Sequence, residues 1–472
     1  MPDTIQTKLA VLGGGPGGYA AAFLAADRGI ATALIDAGAK PGGTCLHVGC
    51  IPSKALLHVA HVIHGAHDVA QFGVTYAEPK IDLPTFRAKQ FKIVDTMATH
   101  LLELCKRRDV KHIAGRGTFV DANTILVENG PQVRFEHAII ASGSSPTKIP
   151  AFEIGSPHIW DSTAALKLES IPKSLLVVGG GYIGLELGTV YAALGSSVTV
   201  VELTPSLLPG VDPDLVQPLR DRLKNEFANI YLSTKVAKLA EAKGGIQVTL
   251  EGDVPEKQMT FEKVLVAVGR RPNSANFGLD KIGVAVDAKG FIQVNEQRRT
   301  SLPHIFAIGD VAGEPMLAHK AAHEGKLAAQ IVAGETSLVW EPRAVPAVVF
   351  TDPEIAWCGL TETEAKKQGR EVKVGKFRWG ASGRAATLGR SDGVSKILVD
   401  PKTDMILGIG LAGPGAGELI AEGVVAIELG ATAKDLALCI HPHPTLTETI
   451  SEAAETLHGL ASHFVVLKKK VV

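Results

Sequence analysis

The chain has 472 residues, too many for one ordinary hydrophobic core, and about three domains are expected. Lys and Arg number 48 against 49 Asp and Glu, a formal net charge of −1, so no global field points to nucleic acid or an anionic membrane. No apolar run reaches the roughly 20 residues of a bilayer span, no basic-then-apolar leader opens the chain, and 5 cysteines in this length make no disulfide scaffold. A cytoplasmic protein is expected, with no nucleic-acid partner and no membrane span.

In chain order, the apolar run Thr7–Leu12 enters Gly13-Gly14-Gly15-Pro16-Gly17-Gly18, and an alanine-rich helix from Tyr19 to Arg28 follows. Gly29 stops it, and Ala31–Asp36 reads as a strand ending in an acid. This is the βαβ dinucleotide unit. Gly13 permits the tight turn, Gly15 admits a pyrophosphate close to the backbone, and Gly18 lets the helix pack near. The helix N-terminus offers free N–H groups to the phosphates. Asp36 accepts from a ribose hydroxyl, which favours an unphosphorylated adenosine ribose, as in FAD or NAD.

Next comes Gly42-Gly43-Thr44-Cys45-Leu46-His47-Val48-Gly49-Cys50-Ile51-Pro52-Ser53-Lys54, with two cysteines five positions apart. A zinc site asks for a second close pair, which the chain lacks. Two inert helical thiols, or a disulfide exchanging electrons with a bound flavin, remain, and the redox reading fits the neighbouring nucleotide fingerprint better. Lys54, one helical turn past Cys50, either faces solvent or stabilises negative charge on a reduced ring. Cys105, Cys358 and Cys439 are expected as small buried or half-buried thiols.

The nucleotide pattern then recurs. Leu175–Val178 leads into Gly179-Gly180-Gly181-Tyr182-Ile183-Gly184, a helix runs to Leu194, and Ser197–Glu202 is a strand ending in an acid. After Glu202 no Arg or Lys occurs before Arg220, which favours NAD over NADP. Ala138–Gly143 and Val264–Gly269 read as late strands closing the two units, and Pro303–Ala312 as a buried strand ending at Asp310. From about 349 the texture changes to alternating strands such as Val394–Val399, then helices near 416–429 and 446–458, without a nucleotide fingerprint. In His441-Pro442-His443-Pro444-Thr445-Leu446-Thr447-Glu448, Thr445 is a candidate N-cap with Glu448 closing a capping box. Alternatively Glu448 orients a histidine for proton transfer to a thiol. Lys468–Lys470 reads as a solvated tail.

With these residues assembled, the chain resembles, nearly end to end, the flavin-dependent pyridine nucleotide–disulfide oxidoreductases, and among them the dihydrolipoamide dehydrogenases. The family's G-G-T-C-x-x-x-G-C-I-P-S-K stands at Gly42–Lys54, and its His-Pro-Thr with a following Glu at 443–448. The resemblance implies an α/β fold: two Rossmann-like dinucleotide-binding domains, for FAD and NAD, plus a C-terminal α+β dimerisation domain. The expected division is 1–150 for FAD, 151–275 for NAD, 276–348 as a central segment completing the FAD site, and 349–472 as the interface domain. Catalysis would rest on Cys45, Cys50, His443, Glu448 and Lys54, with His443 serving the disulfide of the other subunit of a homodimer. FAD would contact Gly13, Gly15, Gly18, Asp36, Lys54, Gly143, Asp310 and Ala318. NAD would contact Gly179, Gly181, Gly184, Glu186, Glu202 and Gly269, with Glu186 also pairing Lys54. No metal is implied.

The implied substrate is the dihydrolipoyl group of an acyltransferase or lipoyl-carrier protein, in 2-oxoacid dehydrogenase or glycine cleavage complexes. No lipoyl-bearing segment precedes Thr7, so another protein would carry that group. Three positions depart from the family: His47 stands for the usual Asn, Asp36 for the commoner Glu, and Pro442 for a small residue. Mercuric and large thioredoxin reductases carry a further C-terminal cysteine pair, yet none follows Cys439 here. The cations of glutathione reductase are missing after Glu202, and soluble transhydrogenases lack the cysteine pair. A small-thiol disulfide reductase, or a docking subunit with a vestigial site, are the alternatives.

Overall fold

The computed structural model describes residues 3–463; the Lys468–Lys470 tail lies outside them. Strand Thr4–Leu12 is half exposed at its start and fully buried over Leu9–Leu12, where it lies between two parallel neighbours. Leu9 pairs with Thr32 of strand Thr32–Asp36, and Leu12 with Ile140 of strand Gln132–Ile140. Buried on both faces, these strands read as continuous apolar runs rather than alternating ones. Lys111–Ala114 extends the sheet beside Thr32–Asp36, and Ile305–Ala307 joins it in parallel on Gln132–Ile140. Helix Pro16–Asp27 packs on helix Ala318–Val332 so closely that a Cβ on Gly325 would sit 2.3 Å from the Gly17 carbonyl oxygen.

The second unit is a five-stranded parallel sheet in the order Asn229–Tyr231, Ser197–Val201, Ser174–Val178, Lys263–Val266, Ile159–Trp160. The antiparallel strands Lys235–Ala242, Gly245–Glu251 and Gln258–Phe261 pack on it through Leu176, Val178, Val236 and Val248. Short strands Ser144–Pro146 and Arg270–Pro272 pair antiparallel and tie the two units together where each sheet's chain leaves it.

The C-terminal unit is a five-stranded antiparallel sheet carrying helices Ala416–Glu428 and Glu448–His458, with a further short helix, Ala433–Leu438, that periodicity did not reveal. It meets the second unit through Lys396, which is 0% exposed and bonds Asp212, Asp214 and Glu362 at 2.6, 2.7 and 3.0 Å. These three carboxylates stand close enough to hold a metal ion, but the ammonium already occupies their centre.

Two expectations need correction. Cys105 and Cys358 are buried, and burial raises their thiols to about 11 and about 12, but Cys439 is exposed, its thiol donating to the Asp435 carbonyl at 3.4 Å. By length and composition, the helical stretch Gly43–Phe72 is apolar enough to cross a membrane. Its apolar face is spent on the core instead, where Leu56, Leu57, Ala60 and Ile63 pack with Leu185 and Val190.

Candidate active site

The first glycine loop and the cysteine-bearing helices enclose a cavity of about 730 Å³. Gly13 turns the chain with φ +112°, where a Cβ would lie 2.2 Å from the Ala141 carbonyl oxygen, and Gly43, at φ +56°, would strike Gly15 Cα at 2.6 Å. Gly15 itself has open space on its Cβ side, the nearest atom 3.9 Å away, and Gly18 packs under Gly13. The helix behind them begins at Pro16, so its first N–H groups point into the cavity mouth unpaired. Asp36 Oδ1 accepts from the Gly38 N–H at 3.0 Å, while Oδ2 is buried without a partner. An orphaned carboxylate oxygen beside a phosphate-sized glycine cradle fits the adenosine ribose and pyrophosphate of FAD.

At the far side of the cavity, Asp310 Oδ2 accepts from Ser144 Oγ at 2.5 Å, and Arg270 donates to that hydroxyl at 2.8 Å and to the Ser144 carbonyl at 2.6 Å. Gly143 and Ala318 line the same wall. Sequence reasoning missed Ser144 and Arg270; their only signal was adjacency to Gly143 and Gly269.

Cys45 lies on helix Gly43–Val48 and Cys50 opens helix Cys50–Asp68, the break falling at Gly49. Both are free thiols facing the cavity. The Cys45 thiol donates toward Cys50 and lowers its pKa to about 7; burial works against this, and Lys54 adds to it. The same hydrogen bond, with burial, drives the Cys45 thiol far upward. The Cys45 hydrogen bond and Lys54 thus favour the thiolate on Cys50. Lys54 Nζ meets the buried Glu186 carboxylate at 2.9 Å and lies 4.4 Å from the Phe350 ring centre. Cys45 also forms part of a second cleft of about 340 Å³, with Tyr19, Ile51, Met97 and His100. Cys50 borders only the first.

In the second fingerprint Gly179 takes φ +108° under the Ala267 carbonyl, Gly184 packs against the Gly179 carbonyl, and Gly181 is open. Glu202 accepts from the Gly180 N–H at 2.6 Å and the Thr204 N–H at 2.7 Å. It braces the loop while one lone pair per oxygen stays available to a ribose. Gly269, at φ +112°, has open space on its Cβ side, the cradle expected for a dinucleotide. Glu186 lines the FAD-side cavity together with Tyr182 and Ile183 of this second loop, and there it bonds Lys54.

His443 Nδ1 meets Glu448 Oε1 at 2.8 Å, with its ring 74% exposed. Burial would raise the Glu448 carboxyl, but the Thr445 N–H and His443 hold it below its ordinary range. Helix Glu448–His458 takes Thr447, not Thr445, as N-cap. Only half of the expected capping box forms: Glu448 Oε2 accepts from the Thr445 N–H at 2.7 Å, while the Thr445 hydroxyl turns to the Pro442 carbonyl. The His443–Glu448 pair does not line the cavity holding the cysteines of its own chain. His47 lines the cavity wall, its Nε2 3.2 Å from both the Lys40 and Pro41 carbonyls.

Comparison with known proteins agrees with this architecture. Residues 7–325 match the pyridine nucleotide-disulphide oxidoreductase family and 345–454 its dimerisation domain. The chain is 44% identical to a dihydrolipoyl dehydrogenase of Vibrio parahaemolyticus over 97% of both chains. It is 46% identical to that of Thermus scotoductus over 96% of this chain and 98% of the relative. LpdA from Mycobacterium tuberculosis superposes with a TM-score of 0.88 at 26% identity, over 96% of this chain and 99% of that one. The HOCl-induced flavoprotein disulfide reductase RclA of Escherichia coli reaches 0.85 at the same identity, over 95% and 99%. With two family models spanning most of its length, and glycine cradles, cysteine pair and interface unit all in place, this chain belongs to the pyridine nucleotide-disulphide oxidoreductases.

Proposed function

We propose that the protein is a dihydrolipoyl dehydrogenase, an FAD-dependent enzyme that oxidises a protein-bound dihydrolipoyl group and reduces NAD⁺. The observation that carries this reading is the asymmetry of the cysteine pair. Cys45 lines both the flavin-sized cavity and a second cleft, whereas Cys50 lines the flavin-sized cavity, where the Cys45 thiol and Lys54 favour its thiolate. Relatives bearing that enzyme name, aligned over almost the whole chain, support the substrate.

The roles follow from the geometry. His443, oriented by Glu448, takes the proton of one substrate thiol, and the thiolate attacks Cys45 Sγ of the oxidised pair. The Cys45–Cys50 bond breaks and Cys50 departs as a thiolate, which its lowered pKa makes a good leaving group. The second substrate thiolate then attacks the mixed disulfide, releasing the cyclic disulfide and Cys45, which takes up a proton. Lys54, fixed by Glu186, keeps positive charge beside Cys50 throughout. Bound FAD supplies the two-electron relay from the dithiol to NAD⁺. Gly13, Gly15, Gly18, Asp36, Gly143, Asp310 and Ala318 hold it; Gly179, Gly181, Gly184, Glu202 and Gly269 hold NAD.

The matched dimerisation region contains both His443 and Glu448. Because that dyad is exposed and apart from its own chain's cysteines, it serves the cysteines of a second copy in a homodimer. The division into 1–150, 151–275, 276–348 and 349–472, the lipoyl-bearing acyltransferase or carrier as partner, and a cytoplasmic setting belong to the same proposal. NADH formation from dihydrolipoamide and NAD⁺, run beside NADP⁺ and beside glutathione disulfide with NADPH, tests it. NAD⁺-specific turnover is expected. An inert dihydrolipoamide would send the substrate search to other thiols.

A further inference from the structure

The C-terminal unit touches the Lys54–Glu186 pair, which lines the flavin-side cavity, through Phe350. Phe350 donates its backbone N–H to Glu186 Oε1 at 3.0 Å and lays its ring beside Lys54. Glu186 is 3% exposed, and its other oxygen takes Lys54 Nζ at 2.9 Å. The pair is therefore gripped from two sides, by its own units and by a loop that joins strands Ala347–Val349 and Glu354–Gly359.

That loop is moored two residues further on. Asp352, 8% exposed, forms ion pairs with Arg390 at 2.7 Å and Arg222 at 3.1 Å, and lies 3.6 Å from His64 Nδ1. Arg222 also binds Asp68 and Glu226, and Arg390 binds Asp392. His64 and Asp68 sit on the helix that begins with Cys50, and Arg222 and Glu226 on helix Pro213–Glu226 of the second unit. Burial alone would raise the Asp352 carboxyl, yet His64, Arg390 and Arg222 hold it far below its ordinary range, so it stays charged. A carboxylate this buried is tolerated only when its donors are fixed, and their fixity sets the loop. Without the Phe350 N–H, one buried oxygen of Glu186 loses its donor, and the carboxylate turns further onto Lys54. The ammonium is then drawn away from Cys50.

We infer that Asp352 is a positioning residue for the Lys54–Glu186 pair, mooring the Phe350–Asp352 segment so that Lys54 keeps its charge beside Cys50. The inference rests on the proposed function, in which Lys54 and Cys50 face the flavin. It adds a residue that touches neither flavin nor substrate and belongs to a different structural unit. Besides Lys54, the groups facing Cys50 are Cys45, Glu186 and the phenols of Tyr182 and Tyr19. None of these touches Asp352.

The test uses the FAD-loaded protein, reduced by two electrons and titrated with acid and base, following the long-wavelength absorbance of a thiolate against oxidised flavin. The parent midpoint is expected at about 7. Asp352→Asn should raise it by roughly half to one unit, and Asp352→Glu should restore most of that shift. Lys396→Met removes a separate set of ion pairs between the same two units and should lower the melting temperature without moving the midpoint. A destabilised Asp352→Asn protein with the parent midpoint would overturn the inference. Should that variant not fold, Arg390→Gln removes one mooring bond and carries the same expectation, and an unmoved midpoint there overturns it equally. Absence of the absorbance from the parent would defeat the functional reading itself, and this inference with it.

Discussion

Replacing Cys45 by alanine and, separately, by serine separates the two influences that hold Cys50 acidic. The hydrogen bond from the Cys45 thiol is the larger, burial opposes it, and Lys54 adds a smaller lowering; together they bring Cys50 from the ordinary 9.0 to about 7. At pH 7 about half of Cys50 is then thiolate, against about one part in a hundred for an unperturbed thiol. Below pH 7 the thiolate falls roughly tenfold per unit, so thiol chemistry that needs Cys50 as leaving group weakens as acid is added. Alanine removes the donor, and the midpoint should climb by roughly one to two units, leaving about a tenth or less as thiolate at pH 7. Serine keeps an O–H in the same place and should hold the midpoint within about half a unit. The FAD-loaded variants carry a lone Cys50 against oxidised flavin, and its thiolate absorbance, read from about pH 5 to pH 10, reports the titration directly. If alanine and serine variants titrate together near 7, the hydrogen bond is not what holds the charge. If both titrate near 9, the hydroxyl does not replace the thiol donor, and Lys54 only offsets burial.

The glycine cradle makes a paired prediction. A Cβ on Gly18 would lie 1.8 Å from the Gly13 carbonyl oxygen, so Gly18→Ala should cost about 2 kcal/mol of apoprotein stability, measured by denaturant unfolding. Gly15→Ala meets nothing closer than 3.9 Å and should leave the apoprotein as stable while weakening FAD binding at least about tenfold. His443→Gln should slow dihydrolipoamide turnover by roughly two to four orders of magnitude while sparing NADH oxidation by an artificial acceptor; equal losses would refute a thiol base. Lys396→Met leaves Asp212, Asp214 and Glu362 facing one another and should destabilise the protein by about 3–5 kcal/mol in thermal or denaturant unfolding. Burial raises these three carboxyls, but Lys396, with Thr363 at Asp212 and Lys376 at Asp214 and Glu362, brings each below its ordinary 3.8 or 4.5. Their contribution is therefore complete above those values and lost as pH falls through the lower folded ones, which a pH series of melting curves checks.

What could be read from the sequence divides by distance along the chain. The glycine loops, the strand-ending acids Asp36 and Glu202, the Cys45–Cys50 pair and the His443–Glu448 dyad each fit within one supersecondary unit, where spacing alone brings groups together. Local rules still competed at residue 445. Its hydroxyl serves as a cap in the sequence pattern, but in the fold it bonds the Pro442 carbonyl, and the helix starts later, at Thr447. The Lys54–Glu186 pair spans 132 positions, and only likeness to a known family joined its members. Ser144 with Arg270, 126 positions apart, had no such guide, because the pair depends on two short strands meeting between units. The Asp68–Arg222–Asp352–Arg390 network was equally hidden. Each member reads as one more surface charge until four segments converge and draw it from water. His443 sets a different limit. Its partner lies five residues away and is legible, yet its target is not, because the dyad is exposed and does not line the cavity of its own chain's thiols. Periodicity describes one chain folding on itself, and in the proposed function this site is completed by a second chain.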